Sequence, residues 1–215
     1  MLYMVPGLFG APLNALSALA PPPMRQDFAW TAAAGAPAAA PSGTDALCTA
    51  PRFADRLELP LGLNGYFTLD EALACARQER KPVFVDFTGH NCGNCRVMES
   101  TVWSHPQVLE RLRRDFVVVA LYADDKTELP AAQWYTSKRD QRQKKTLGEQ
   151  NLDFQISRFN MNAQPYYVLL DPASTPERPL PLTAPVAYES DVQKFIGFLD
   201  AGLARHRQTL AQAGR

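Results

Sequence analysis

The sequence predicts an α/β fold with a central mixed β-sheet flanked by helices. Three observations predict it. Residues 83–87 and 116–122 are short runs of β-branched and aromatic side chains separated by a helical stretch, which makes a strand–helix–strand unit with parallel pairing. A third such run, Tyr166-Tyr-Val-Leu-Leu170, opens directly after Pro165. The chain then closes on an amphipathic helix over residues 191–206, whose apolar stripe is Val192, Phe195, Ile196, Phe198, Leu199 and Leu203.

With 215 residues, 46% of them hydrophobic, the chain is long enough for one sizeable core plus extensions. Its 22 Lys and Arg balance 22 Asp and Glu, so the charge gives no ground for nucleic acid or an anionic surface as partner. The four cysteines, Cys48, Cys75, Cys92 and Cys95, are too few and too unevenly spaced for a disulfide framework.

Taken in order, residues 1–22 are apolar but lack the basic start and small-residue cleavage site of a secretory signal. Pro6, Gly7, Gly10 and Pro12 break them into pieces well short of the ~20 residues that span a bilayer. They read as the end of a membrane segment, with an interfacial anchor or a hydrophobic lid as the alternatives. Residues 23–56, rich in Ala, Pro, Gly, Ser and Thr, read as a flexible linker.

The globular domain is expected over residues 57–207, with 208–215 as a tail. Its first helix covers residues 68–80, with Thr68 as N-cap candidate, Glu71 three residues later and Cys75 as a small buried hydrophobe; Cys48, in the polar linker, has no evident role. The helix after the first strand extends to Trp103 and restarts at Pro106. Residues 124–148 form a polar segment in which Lys138, Arg139, Arg142, Lys144 and Lys145 surround Asp140; it reads as a solvated insertion loop, with a basic docking surface as the alternative. Leu152, Ile156 and Phe159 mark the next helix, and residues 185–188 a short edge strand.

The chemistry lies where the first strand meets its helix. Cys92 and Cys95 fall on the first turn of that helix, where unpaired N–H groups and the helix dipole stabilise a thiolate. Cys92, at the exposed edge, is the attacking sulfur, and Cys95, three residues further in, resolves the mixed disulfide. Asp86, inside the apolar strand, and Glu99, four residues beyond Cys95, read as proton acceptors or tuners of the thiols, favouring a reducing centre. A cis bond before Pro165 would expose the backbone of Gln164 beside the thiols for pairing with a substrate chain; an ordinary trans proline is the alternative. Asn91 and Gly93, flanking Cys92, complete the surface expected to meet the substrate. His90, His105 and His206 are scattered, with no partner that makes a catalytic dyad; His90 either tunes Cys92 or faces solvent.

Strand–Cys-x-x-Cys–helix followed by a proline-led strand resembles the thioredoxin fold over roughly residues 57–207. More narrowly, three stretches resemble the C-terminal domain of the bacterial DsbD-type transmembrane thiol:disulfide interchange proteins. They are Val85-Asp-Phe-Thr-Gly-His-Asn-Cys-Gly-Asn-Cys-Arg-Val-Met-Glu99, Leu121-Tyr-Ala-Asp-Asp-Lys-Thr-Glu-Leu-Pro130 and Asn162-Ala-Gln-Pro-Tyr-Tyr-Val168. Val5-Pro-Gly-Leu-Phe-Gly-Ala-Pro-Leu-Asn-Ala-Leu-Ser17 looks like the end of that family's membrane domain. The family's usual aromatic residue before the first cysteine is Asn91 here.

The resemblance implies Cys92 and Cys95 as the redox pair, Asp86 and Glu99 as acidic neighbours, and Pro165 as a cis proline. It also implies a C-terminal portion of a longer architecture, anchored to the bacterial inner membrane through residues 1–22, with this domain in the periplasm. Electrons would arrive from a membrane-embedded thiol donor and leave to periplasmic thiol/disulfide proteins, with no cofactor beyond the Cys92–Cys95 disulfide. Two other readings are a free-standing periplasmic thioredoxin-like reductase or isomerase, and a metal carrier using Cys92, Cys95 and His90. A single Cys pair with no second pair at finger spacing argues against structural zinc, and no metal is expected.

Overall fold

Residues 47–213 are described in the structure, a computed structural model. The apolar segment 1–22 and linker residues 23–46 lie outside them. The described elements run α1 (Leu69–Glu79), β1 (Val83–Thr88), α2 (Gly93–Met98), α3 (Pro106–Asp115), β2 (Val117–Tyr122), β3 (Tyr135–Thr136), β4 (Gln143–Lys144), α4 (Leu147–Phe159), β5 (Tyr166–Leu170) and α5 (Val192–Ala213). A π-helical turn, Glu99–Trp103, carries α2 on as far as Trp103.

β1 is the middle strand of a mixed sheet ordered β2-β1-β5, parallel to β2 and antiparallel to β5. All three strands are buried along their whole length, which is why they read as near-continuous apolar runs rather than alternating ones. Period-two geometry divides their side chains between two cores. Phe84, Val118, Ala120, Tyr122, Tyr167 and Leu169 join Met98, Val102 and Trp103 and the stripe of α5 on one face. Val83, Val85, Phe87, Val117, Val119, Leu121, Val168 and Leu170 pack with α1 on the other. The fold class expected from the sequence is the one observed.

Local details differ from expectation where side chains compete. Thr68 precedes α1 but makes no cap hydrogen bond; its hydroxyl donates to Glu71 Oε2 and accepts from Arg52. The true capping box is Thr146–Glu149 at the start of α4. The edge strand expected at residues 185–188 is reduced to single bridges beside β5, Leu170 with Pro181 and Tyr167 with Val186. Pro181 and Pro185 lack the N–H that a continuous ladder needs. The polar insertion is ordered: β3 and β4 pair as a hairpin, Asp140 accepts from Arg139 and Lys144, and Lys145 sits 4.6 Å over the Trp134 ring.

Both ends of the domain extend past the expected limits. α5 reaches Ala213, so residues 208–213 are helical rather than tail. Residues 47–56, expected as linker, pack on the domain: Arg52 pairs with Asp70 and Glu71, and Thr49 N–H donates to the Tyr66 hydroxyl. Cys48 and Cys75 form a disulfide, which corrects the expectation of Cys75 as a plain hydrophobe and of a chain with one cysteine pair. Cys75 is buried, so its helical position satisfies the apolar pattern and the bond together.

Closing a loop across 27 residues restricts the unfolded chain, so replacing both Cys48 and Cys75 by Ser should lower unfolding stability by about 2–4 kcal/mol. Urea denaturation of the variant with Cys92–Cys95 kept oxidised checks this, and an unchanged midpoint would contradict it.

Candidate functional site

The parallel pairing of β1 and β2 and the antiparallel pairing of β5 decide which chain segments meet. The exits of β1 and β2 and the entry of β5 all lie at one sheet edge, with Thr88 opposite Tyr122 and Phe87 opposite Tyr166. The turn after β1, the turn after β2 and the Gln164–Pro165 turn before β5 therefore converge. Cys92 and Cys95 lie in the first of these and are joined as a disulfide. The Gln164–Pro165 bond is cis.

Cys92 is the N-cap of α2, and its sulfur accepts the Cys95 N–H at 3.2 Å. Capping residues are ordinarily Ser, Thr, Asp or Asn; here sulfur takes that place. Cys92 is partly exposed, whereas Cys95 is 1% exposed. The geometry separates an accessible sulfur from a shielded one, as an attacking and a resolving thiol require. Asn91 is exposed and Gly93 partly so, beside Cys92.

Asp86 and Thr88 share the strand face of Phe84, so both point toward α2. Asp86 is 2% exposed and its Oδ1 has no hydrogen-bond partner. Burial, and then the neighbouring Glu99, push its carboxyl well above the usual range, against the opposing pull of Arg96. Glu99, also buried, is pushed up to about 7 by burial, partly offset by Arg96. Arg96 binds Glu99 Oε1 at 2.8 Å and Thr88 Oγ1 at 3.3 Å, so it bridges strand and helix. The α2 side of the sheet thus holds two carboxyls and one guanidinium, with Asp86 inclined to hold its proton at neutral pH and Glu99 near its midpoint.

The other candidates fall as follows. Gln164 is partly buried; its side-chain amide donates to Gln155 Oε1 at 2.8 Å, and Gln155 in turn donates to Ala163 O at 2.9 Å. His90 is exposed but not unpartnered: its Nε2 lies 2.9 Å from Asp125 Oδ2 and its ring packs 4.7 Å from Tyr122. His206 Nε2 meets Arg80 O and is remote in the chain from the pair, and His105 occupies the N-cap position of α3 without a side-chain cap bond. Among the described residues, no group of three or more His, Cys, Asp or Glu is placed to hold a metal ion.

The sequence pattern of the thioredoxin-like family matches residues 65–172, which contain β1, α2, β2, α4 and the cis-proline strand. The chain belongs to the thioredoxin-like family. No curated protein matches it. Among solved structures, a thioredoxin from Thermus thermophilus is 21% identical, with a TM-score of 0.45 over 63% of this chain and 84% of that one. A structure titled "DsbH Oxidoreductase" is 16% identical, with a TM-score of 0.47 over 69% of this chain and 92% of that one.

Two parts of this thioredoxin-like site escaped the sequence. Gln155, completely buried on α4, holds the cis-proline turn, yet it sits between the apolar positions that define the helix. The His90–Asp125 pair spans 35 residues, and only the adjacency of the β1 and β2 exits brings it together.

The raised carboxyl of Asp86 gives a stability signature with a defined sign. The native state keeps a proton that the unfolded chain has released, so stability falls as pH rises from about 4 toward the native value. Asp86→Asn removes the Asp86 part of that fall. Relative to the parent, the oxidised variant should gain stability between pH 4 and pH 9. Urea midpoints at the two pH values test this; parallel pH profiles would mean that Asp86 is already ionised in the folded state.

Proposed function

We propose that this domain is a thiol:disulfide oxidoreductase working in the reducing direction, the C-terminal relay of a DsbD-type interchange protein. The observation that carries the reading is the Cys92–Cys95 disulfide at the start of α2, the helix whose continuation carries the buried Glu99 and which packs on the β1 face of the buried Asp86. Electrons would come from a membrane-embedded thiol donor associated with residues 1–22 and pass to periplasmic protein disulfides. The Cys48–Cys75 bond supports an oxidising compartment, because structural disulfides persist there and not in a reducing cytosol.

In the reduced domain the Cys92 thiolate attacks one sulfur of a partner disulfide. A Cys92–partner bond forms, the partner bond breaks, and the displaced partner thiolate takes a proton from solvent. Cys95 then loses its proton to the carboxyl pair and attacks Cys92. The second partner sulfur leaves as a thiolate and is protonated in turn, so the partner gains two electrons and the domain is left as its disulfide. Glu99, near 7, is balanced between its two forms at neutral pH, which suits a group that takes up and returns a proton. The protonated tendency of Asp86 is the state expected after that proton has arrived.

Gln164 and the cis Pro165 would meet the substrate backbone, with Asn91 and Gly93 bordering the exposed sulfur. An extended chain pairing there would bring its disulfide up to Cys92. Negative charge near the pair raises the thiol pKa values and favours giving electrons up.

Cys95→Ser removes the resolving thiol while leaving the attacking one. In cells producing the full chain, this variant should accumulate mixed disulfides on Cys92 that contain a membrane thiol protein. The parent's reduction potential should be more reducing than about −180 mV, the range of isomerases and oxidants. A potential on the oxidising side of that value would overturn the reducing direction.

A further inference from the structure

The turn that delivers Cys92 is held from outside by two adjacent carboxylates at the exit of β2. Asp124 accepts two backbone N–H groups of that turn, from His90 at 2.8 Å and from Asn91 at 3.2 Å. Asp125 Oδ2 lies 2.9 Å from His90 Nε2, and its Oδ1 accepts the Thr127 N–H at 2.8 Å. Burial pushes the Asp125 carboxyl upward, but the His90 and Thr127 hydrogen bonds outweigh it and leave it below the usual range.

Two glycines show how closely this assembly is built. A Cβ on Gly89 would stand 3.1 Å from all three atoms of the Asp124 carboxylate. A Cβ on Gly148, in the first turn of α4, would come within 2.5 Å of the Asp125 backbone, whose carbonyl accepts the Gly148 N–H. The clamp therefore rests on α4 at one end and on the nucleophile's turn at the other.

We propose that Asp124 and Asp125 are positioning residues that clamp the Gly89–Asn91 turn and set the reactivity of Cys92. The proposal rests on the reading of Cys92 as the attacking thiol. Asp124 occupies the amides immediately before Cys92, so they are not free to turn toward a thiolate, and it places fixed negative charge beside that turn. Both effects disfavour the thiolate and make Cys92 a more reducing, less acidic thiol. The charged and titratable groups around the clamp are His90 on the turn, Tyr122 at the end of β2, and Arg56, whose charge acts on Asp125 from the N-terminal segment. Arg96, Glu99 and Asp86 act from beneath the pair.

The test is the pH dependence of iodoacetamide alkylation of Cys92, followed by peptide mass in the full chain carrying Cys95→Ser with Cys48–Cys75 intact. Asp124→Asn keeps an acceptor but loses the charge, and should move the alkylation midpoint down by about 0.5–1 pH unit, or three- to tenfold in rate below the midpoint. Gly89→Ala is an independent variant: its Cβ, 3.1 Å from the carboxylate, pushes it back by a few tenths of an ångström and lengthens its bonds to the same amides, so the midpoint should move the same way by a smaller step. Asp125→Asn should move it less, through the loss of the His90 contact. Unchanged midpoints in both Asp124→Asn and Gly89→Ala would overturn the proposal, even where melting temperatures fall, because a merely structural role lowers stability without moving the titration. Iodoacetamide needs no protein partner, so the outcome is independent of whether the relay reading holds.

Discussion

The constraint on which the rest of this structure depends is that β1 is buried on both faces for all six residues while one of those residues is an acid. A central strand between two helix layers has no water to offer a carboxylate. Asp86 can be kept there only as a neutral acid or beside a compensating cation. The structure uses both: the carboxyl is pushed toward its protonated form, and Arg96 reaches in from α2 to the adjacent Thr88 and to Glu99. An apolar residue would fill this position without the desolvation cost, so Asp86 is the one ionisable exception in the buried strand.

That burial couples stability to protonation. Asp86 and Glu99 act on one another in a desolvated region on the α2 side of the sheet, where a second negative charge is costly. Arg96 keeps the region from excluding charge altogether. It holds Glu99 near 7 rather than higher, and in doing so leaves its own Nε without a partner.

The fold and the centre of the site were legible because both are written locally. Short β-branched, aromatic and aliphatic runs marked β1, β2 and β5; helical spacing marked α1 and α5; Cys92 and Cys95 carry their geometry in their separation. What stayed hidden depends on contacts between distant segments or on side chains that satisfy two patterns together. Cys75 fits a helix's apolar face whether or not it is bonded to Cys48. Thr68 with Glu71 matches a capping box as well as Thr146 with Glu149 does, and only Arg52, arriving from the presumed linker, diverts the first. Prolines at 181 and 185 allow the edge segment to lie along β5 but not to ladder with it.

α4 illustrates the same limit and completes the physical picture. Its apolar residues drew attention, yet Asn151, Asp153 and Gln155 are more buried than Leu152, Phe154 or Ile156. Each of the three reaches a different segment. Asn151 donates to Tyr122 O at the end of β2, Asp153 accepts from Ser137 and Tyr135 of the inserted hairpin, and Gln155 secures the cis-proline turn. Gly148 adds the fourth tie, to Asp125. Hydrogen bonds between buried groups are directional, whereas apolar packing tolerates sliding. One helix thereby ties the turn that carries Cys92, through Asp125 and His90, to the cis-proline turn before β5. Directional bonds at both ends fix the separation of these two turns more tightly than the apolar contents of either core could.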